Sequence, residues 1–218
     1  MEEDNQPIYL NENMPVEERV EDLLSRMTLE EKIGQMDMFK GINTKQNKNG
    51  TTSFIHENIL DFKSDYEDFT IDSLIKRIKK GEIGSFLSLS GPTEANFLQS
   101  LADSSRLRIP LLNCIDAIHG NGLVAGSTIF PTPIGIASGF DTEMMYEISC
   151  ITSEEMKAMG YHLNFYPNID VTRDARWGRT GETFGEDPLL VGSLGRASVR
   201  GLQQASNGKI GGVAACAK

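Results

Sequence analysis

Short apolar segments alternate with helical segments along most of this chain, and this alternation limits the folds that it can adopt. The predicted strands are apolar runs bounded by turn residues, at 83–89, 109–115, 163–171 and 211–217. The predicted helices lie between them, at 71–80, 93–106, 141–159 and 188–204. Strands that are apolar on both faces and joined by helices form parallel sheets, so the sequence predicts an α/β fold.

Two further helices are predicted near the N-terminus. The first is amphipathic, because apolar residues recur at helical spacing at Val16, Val20, Leu23, Leu24 and Met27. The second opens with a capping-box pattern and is expected to turn three side chains inward. The capping residues are Thr28 and Glu31, and the inward side chains are those of Ile33, Met36 and Phe39.

The chain divides into a tail, a domain and one insertion within that domain. Residues 1–13 are expected to form an N-terminal tail, and residues 14–218 the N-terminal portion of a larger domain. The segment 41–68 is polar and lacks periodicity, so it is predicted to be a surface insertion or loop.

Two sheet closures fit this pattern: an open doubly wound sheet and a (β/α) barrel. Neither G-x-G-x-x-G nor a P-loop follows a predicted strand, so a nucleotide-binding doubly wound sheet loses support. Polar and charged residues gather instead where strands end, at Asp116, at 170–179 and at Lys218. In a barrel those ends form one face, which carries the active site. About four βα units are recognisable and a barrel has eight, so a TIM-like barrel would be present only in its N-terminal part.

Charge and composition favour a neutral or small polar ligand. The formal net charge of −10 disfavours binding to nucleic acid or to an anionic membrane, because like charges repel. No run approaches the roughly 20 apolar residues that a membrane span needs. The first five residues lack the basic and apolar regions of a signal peptide. Cys114, Cys150 and Cys216 lie far apart and are interpreted as reduced packing residues.

Asp116 is the first candidate for chemistry. It stands at the end of an apolar run, and Gly120 shortly after it permits a sharp turn. A fixed carboxylate in this position can accept hydrogen bonds from two adjacent sugar hydroxyls. It can equally cap the loop that follows, and the sequence leaves both roles open. His119 is interpreted as a structural histidine bonded to the backbone.

The segment 171–188 holds three arginines, four carboxylates and the single tryptophan. Its glycines and proline interrupt a helix, so it is predicted to be a structured loop at a strand end. One arginine is expected to face a ligand. The other two are expected to be held in ion pairs with Asp174, Glu182 or Glu186.

Four motifs, in this order, resemble family 3 of the glycoside hydrolases, the β-glucosidases and exo-β-glucanases. They are Met-Thr-Leu-Glu-Glu-Lys-Ile-Gly-Gln-Met at 27–36, Asp-Ala-Ile-His-Gly at 116–120, Thr-Ile-Phe-Pro at 128–131 and Arg-Asp-Ala-Arg-Trp-Gly-Arg at 173–179. The resemblance implies a (β/α) barrel-like domain that binds the terminal sugar in the −1 subsite. It implies that Asp116 and Arg179 bind sugar hydroxyls and that Lys218 is the lysine of the family's Lys-His pair.

The resemblance also implies a reaction. The family hydrolyses terminal non-reducing β-D-glucosyl residues with retention, through a nucleophilic aspartate and a separate acid/base carboxylate. The family's Ser-Asp-Trp-like nucleophile motif does not occur in these residues. Both catalytic groups are therefore expected beyond residue 218, in a missing C-terminal half of the enzyme, and the isolated chain is expected to be inactive.

The implied ligand is a β-glucoside or a β-glucan oligosaccharide, with no cofactor and no metal. A glucoside is favoured over a xyloside or an N-acetylglucosaminide, because the loop 176–179 resembles that of the glucose-cleaving branches. Should the chain turn over alone, Asp170, Asp174 and Glu182 are the first carboxylates to examine. The alternative function is that of a non-catalytic carbohydrate-binding or regulatory fragment.

Overall fold

A parallel sheet of short strands organises the chain. The computed structural model describes residues 6–42, 44–46, 52–54, 70–204 and 211–218. Within these residues the main sheet has five strands in the order β1 (Met38–Lys40), β4 (Ser85–Leu87), β5 (Leu112–Ile115), β6 (Leu163–Asn164) and β7 (Ala214–Ala215). Every neighbouring pair in this sheet is parallel, so the predicted α/β fold is confirmed.

Two helices precede the sheet, α1 (Val16–Arg26) and α2 (Leu29–Gly34). The helices in the connections between its strands are α3 (Ile71–Lys80), α4 (Pro92–Asp103), α5 (Pro133–Ala137), α6 (Thr142–Ala158) and α7 (Pro188–Gln203). Single 3₁₀ turns form at Ile8–Leu10 and Thr180–Glu182. The strands of the main sheet are ordered as they occur in the sequence, without the reversal that defines a doubly wound sheet. This is the winding of a (β/α) barrel, here as an open sheet bounded by β1 and β7.

Local capping fixes several helix ends where the sequence indicated them. The Thr28 hydroxyl accepts the backbone N–H of Glu31, whose carboxylate accepts the N–H of Thr28 in return. Asp141 Oδ1 accepts the N–H groups of Glu143 and Met144, each at 3.0 Å. Each cap satisfies backbone donors that the first helical turn leaves unpaired.

The prediction for the second N-terminal helix is wrong in its length and in its inward face. Helix α2 ends at Gly34, and Ile33 and Met36 are 47% and 79% exposed. Phe39 is buried as expected, but it lies on strand β1. Gly34 lies so close to the backbone of Glu82 that a Cβ there would overlap it. The chain leaves the helix after Gly34 and enters β1 at Met38.

Helix α1 forms as predicted, but most of its apolar stripe is exposed. Val16, Val20 and Leu24 are 65%, 45% and 42% exposed, and no residue of α1 is buried. Leu23 is partly buried, and Met27, which follows the helix, is buried. Periodicity thus predicted the helix correctly, and the described residues cover only the last part of its stripe.

The core lies between the sheet and the helices that follow its strands. Its largest fully buried apolar side chains come from strands, helices, the segment that precedes β6 and the loop that precedes α7: Leu74, Ile78, Phe86, Leu98, Ile115, Met145, Met156, Tyr161, Phe184, Leu194 and Leu202. Burying an apolar side chain of this size is worth about 1.5–3 kcal/mol. This layer holds the strands together, so their carboxyl ends keep fixed positions.

All four predicted strands are shorter in the structure. The runs 83–89 and 109–115 are reduced to Ser85–Leu87 and Leu112–Ile115, and the runs 163–171 and 211–217 to Leu163–Asn164 and Ala214–Ala215. Within the insertion 41–68, strands β2 (Thr44–Gln46) and β3 (Thr52–Phe54) pair antiparallel, and the rest of that insertion beyond residue 42 lies outside the described residues until Thr70. Among the described residues, no helix is long and apolar enough to cross a membrane.

Candidate functional site

Asp116 and Lys218 meet at the carboxyl edge of the sheet. Asp116 directly follows β5, and Lys218 lies three residues after Ala215 at the end of β7. Lys218 Nζ donates to Asp116 Oδ1 over 2.7 Å. The lysine and aspartate side chains are 35% and 37% exposed, so both remain accessible from solvent. The structure thus brings together two of the three residues that the sequence proposed.

The backbone of Lys218 is held by the loop after β6. Its N–H donates to the Pro167 carbonyl oxygen at 3.0 Å, and its own carbonyl oxygen accepts the Ile169 N–H at 2.6 Å. Its ammonium also lies 5.8 Å from the ring centroid of Phe165, a distance at which cation and ring attract. The lysine is therefore presented by a fixed backbone with only its side chain free to move.

A buried amide on β6 holds the backbone next to Asp116. Asn164 is fully buried, and its Oδ1 accepts the Ala117 N–H at 2.9 Å while its Nδ2 donates to the Ala117 carbonyl oxygen at 3.1 Å. Sequence reasoning missed this residue, because nothing in the local pattern shows which strand the amide will face. Its effect is to fix where the Asp116 carboxylate emerges.

The loop after Asp116 is folded back on itself. His119 Nδ1 donates to the Phe130 carbonyl oxygen at 3.0 Å, and the Phe130 N–H donates to the His119 carbonyl oxygen at 2.9 Å. His119 is thus bonded to backbone, as the sequence indicated. Gly120 has φ of +95°, and a Cβ there would overlap the Thr128 carbonyl oxygen.

Glu155 on helix α6 anchors the far side of this loop. Its carboxylate accepts the Thr128 N–H at 3.0 Å and the Thr128 hydroxyl at 2.7 Å.

Within the described residues, Asp116 accepts its hydrogen bond from Lys218 and not from a backbone N–H of the loop. Among the described residues, Asp116 therefore does not act as a cap for the loop that follows it.

Arg179 lies on the loop that precedes the 3₁₀ turn Thr180–Glu182. Its Nε and Nη2 atoms donate to Glu182 Oε2 at 3.0 and 2.6 Å. Asn168 Nδ2 donates to the same oxygen at 2.9 Å. Two arginines of the segment are ion paired, as the sequence predicted, but the pairs are Arg176 with Asp174 and Arg179 with Glu182. The arginine assigned to ligand is therefore itself one of the paired ones.

Electrostatics link these groups into one cluster. The hydrogen bonds from Arg179 are the main reason that the pKa of Glu182 is lowered; its partial burial opposes this, and Asn168 and the charge of Lys218 add to the lowering. The pKa of Arg179 is raised, chiefly by Glu182 and in smaller part by the fields of Asp170 and Asp116. The pairs Arg179–Glu182 and Lys218–Asp116 therefore act on each other through their charges, and Asp170 adds a third carboxylate to this cluster.

Cys114 lies buried on β5, two residues before Asp116. Burial, followed by the fields of Asp116 and Cys216, raises the pKa of the Cys114 thiol to about 11. All three cysteines are free thiols. In the described ranges, no group of three or more His, Cys, Asp or Glu side chains is arranged to hold a metal ion.

This arrangement is suited to a neutral polyhydroxy ligand. A carboxylate accepts from hydroxyl protons, and a lysine and an arginine donate to hydroxyl oxygens. The cluster therefore offers both hydrogen-bond donors and acceptors, as a sugar with several hydroxyls requires.

Comparisons with known proteins point in the same direction. The model of the glycosyl hydrolase family 3 N terminal domain matches residues 28–218. The chain is 29% identical over 185 residues to a periplasmic beta-glucosidase of Salmonella typhimurium, covering 84% of this chain and 20% of the relative. It is 31% identical to beta-glucosidase C of Emericella nidulans, covering 94% of this chain and 32% of the relative. A putative beta-xylosidase of Formosa agariphila is 30% identical, with 89% and 25% covered.

The fold comparison agrees with the sequence comparison. The crystal structure of a beta-glucosidase from Listeria innocua in complex with glucose superimposes with a TM-score of 0.73 at 31% identity. That match covers 94% of this chain and 26% of the other. The chain therefore spans a fifth to a third of the length of these relatives.

Proposed function

Because this chain belongs to glycosyl hydrolase family 3, we propose that it supplies the sugar-binding part of a retaining β-glucosidase. The reaction proposed for the whole protein is the hydrolysis of terminal non-reducing β-D-glucosyl residues of a β-glucoside or β-glucan oligosaccharide. The observation that carries the proposal is the 2.7 Å contact between Lys218 Nζ and Asp116 Oδ1 at the carboxyl edge of the sheet.

In this proposal, Asp116 accepts hydrogen bonds from two adjacent hydroxyls of the terminal sugar. Lys218 uses one of its three N–H groups for Asp116 and keeps the others for sugar oxygens. Arg179 donates from the side of its guanidinium that Glu182 does not occupy. Each bond to a charged partner is worth about 1.5–3 kcal/mol when water is excluded, so the three residues together can fix the orientation of one pyranose.

The groups that make and break the glycosidic bond are proposed to come from other parts of the family architecture. Retention requires a nucleophilic carboxylate and an acid/base carboxylate on opposite sides of the bond, about 5–5.5 Å apart. The small share of each relative that this chain covers, 20% to 32% in the two β-glucosidases compared above, supports such a division. The described residues are then the binding half of the −1 subsite.

The test uses the complete gene product that carries this sequence, together with the 218-residue chain alone. We expect the complete protein to hydrolyse 4-nitrophenyl β-D-glucopyranoside and to release β-glucose first, as seen by ¹H NMR. Slower hydrolysis of 4-nitrophenyl β-D-xylopyranoside is expected, because the loop 176–179 resembles that of glucose-cleaving relatives. A preference for the xyloside would overturn the substrate assignment but not the class of reaction.

The isolated chain should release no 4-nitrophenol above the uncatalysed rate, because the described residues assigned here bind sugar and do not attack it. Steady turnover by this chain would contradict the proposed division, and Asp170, Asp174 and Glu182 would then be replaced in turn. Glucose binding by the complete protein without any hydrolysis would favour the alternative of a non-catalytic carbohydrate-binding protein.

A further inference from the structure

We propose that Glu182, held by Asn168, is a positioning residue that turns the free edge of the Arg179 guanidinium toward the ligand. This inference rests on the proposed function, since it concerns how the sugar-binding arginine is oriented. Glu182 touches no ligand in this scheme and acts through Arg179.

The first argument is the edge of the guanidinium that Glu182 uses. An arginine has two edges that can donate in parallel, one formed by Nε and Nη2 and one formed by Nη1 and Nη2. Glu182 Oε2 accepts from Nε and Nη2, so it occupies the side edge. The Nη1 and Nη2 edge at the tip remains available for two neighbouring hydroxyl oxygens. The Arg179 side chain is 51% exposed, which leaves that tip accessible.

The second argument is that Glu182 is itself held in place. Asn168 is 1% exposed, and its Nδ2 donates to the same Oε2 atom that accepts from Arg179. Asn168 Oδ1 has no hydrogen-bond partner among the described residues. The buried amide therefore directs its donor to Glu182 while its own acceptor is left unpaired in the described structure. An arginine that is already held in place has less rotamer freedom to lose when a ligand binds.

The third argument is that one short segment positions both cations of the site. Pro167 and Ile169 bind the backbone of Lys218, and Asn168 between them binds Glu182, which binds Arg179. The segment 167–169 thus sets the distance between the lysine and the arginine. Because Glu182 remains ionised at neutral pH, with its pKa lowered chiefly by Arg179, this connection persists under working conditions.

The main experiment replaces Glu182 by glutamine in the complete gene product. Glu182→Gln keeps the shape but removes the charge that selects the side edge of the guanidinium. We expect kcat/KM for 4-nitrophenyl β-D-glucopyranoside to fall about 10- to 100-fold, since misplaced binding groups lose alignment with the transition state. Asn168→Ala should lower kcat/KM in the same direction.

The matched control is Asp174→Asn, which breaks the other arginine–carboxylate pair of the same loop. Asp174 binds Arg176 through two hydrogen bonds to Nε and one to Nη2, and both side chains are strongly exposed. This variant should stay within about twofold of the unmutated kcat/KM, because surface ion pairs contribute little. An equal loss in Asp174→Asn and Glu182→Gln would overturn the positioning role.

A double-mutant cycle separates positioning from a general structural effect. In an Arg179→Ala background, Glu182→Gln should cause no further loss of kcat/KM, because its effect passes through Arg179. Additive losses would contradict the proposal. Thermal unfolding of each variant shows whether folding has changed, and an unchanged midpoint is expected for Glu182→Gln.

A spectroscopic measurement tests the orientation without any sugar. In the NMR spectrum, the Nε–H signal of Arg179 is assigned from its loss in Arg179→Lys. This signal should be resolved in the unmutated protein and in Asp174→Asn. It should be broadened by exchange in Glu182→Gln. A sharp signal in Glu182→Gln would overturn the positioning role. If the signal behaves as expected but the unmutated protein neither binds glucose nor hydrolyses glucosides, the proposed function is overturned and Glu182 orients Arg179 for another ligand.

Discussion

Lys218 Nζ and Asp116 Oδ1 lie 2.7 Å apart although their residues are 102 positions apart in the sequence. Strand β6 stands between the strands that carry them. Neighbouring strands are about 4.8 Å apart, so the lysine spans roughly 10 Å of sheet to reach the carboxylate. The pair therefore depends on the order of three strands, and its two members remain partly exposed.

Asp116→Asn should separate ligand binding from folding in the complete gene product. The substitution keeps the shape but replaces a charged acceptor by a neutral one. If two sugar hydroxyls donate to Asp116, kcat/KM should fall about 10²- to 10⁴-fold, while thermal stability changes little. Loss of a partly exposed ion pair costs at most about 1 kcal/mol. A stability loss of that size with kcat/KM within a few-fold of normal would instead support a purely structural aspartate.

Gly120→Ala should disrupt the loop that follows Asp116. A left-handed backbone costs alanine about 1–2 kcal/mol, and the new Cβ would also overlap the Thr128 carbonyl oxygen. Gly126→Ala is the matched control, because Gly126 has φ of +91° but a Cβ added there would meet nothing within 4 Å. Chemical denaturation should show a larger loss for Gly120→Ala, and equal losses would mean that the loop absorbs the overlap.

Arg106→Gln should destabilise the fold through Glu31. The Glu31 side chain is 7% exposed, and Arg106 Nη2 donates to its Oε2 at 2.6 Å. Burial acts to raise the pKa of Glu31, but the hydrogen bonds from Arg106 and Thr28 hold it below its ordinary value. Removing the arginine should cost about 1.5–3 kcal/mol.

The control for this prediction is Arg26→Gln, which removes a partly exposed i,i+4 pair with Asp22 and a contact of the guanidinium with the Tyr9 ring. It should cost no more than about 1 kcal/mol in urea unfolding. Adding Glu31→Gln to Arg106→Gln should restore part of the loss, since the unpaired buried charge is removed. No recovery in the double variant would indicate that Arg106 stabilises the protein mainly through its bond to the Arg26 carbonyl oxygen.

His162 should lower the stability of the folded protein in mild acid. Its Nδ1 accepts the Asn113 N–H at 3.0 Å, and burial lowers its pKa below the ordinary value of 6.5. A base with a lowered folded pKa stabilises the protein above its unfolded pKa, and this stability is lost as the pH falls through the folded pKa. Melting temperatures measured between about pH 7.5 and pH 5 should therefore fall more steeply in the unmutated protein than in His162→Gln. Parallel curves would show that His162 does not contribute.

The types of the regular elements could be predicted from local sequence. Helix α3 has the bounds 71–80 that its periodicity and Gly81 indicated, and Asp141 caps helix α6 as expected. These features depend on hydrogen bonds and side-chain spacing within a few residues, so the chain carries them whatever lies around it. The same holds for the position of Asp116 after an apolar strand.

Strand β1 and the true face of helix α2 could not be predicted in this way. A strand of three residues is too short to show an alternating pattern, and Phe39 fits a helical pattern as well as a strand. Gly34 looked like one helical residue among others until the backbone of Glu82 was seen to pack against it. Such close approaches between distant segments leave no local signal.

The sequence by itself determined most of the helices, the parallel α/β class and the charged residues that the site can use. Only the tertiary structure decided which of them meet: Lys218 with Asp116, Asn164 with the backbone of Ala117, and Glu182 with Arg179 and Asn168. The physical reason is the range of the interactions. Propensity and capping act within a few residues, whereas these bonds join segments whose separation is set by strand order and by the packing of the helices behind them.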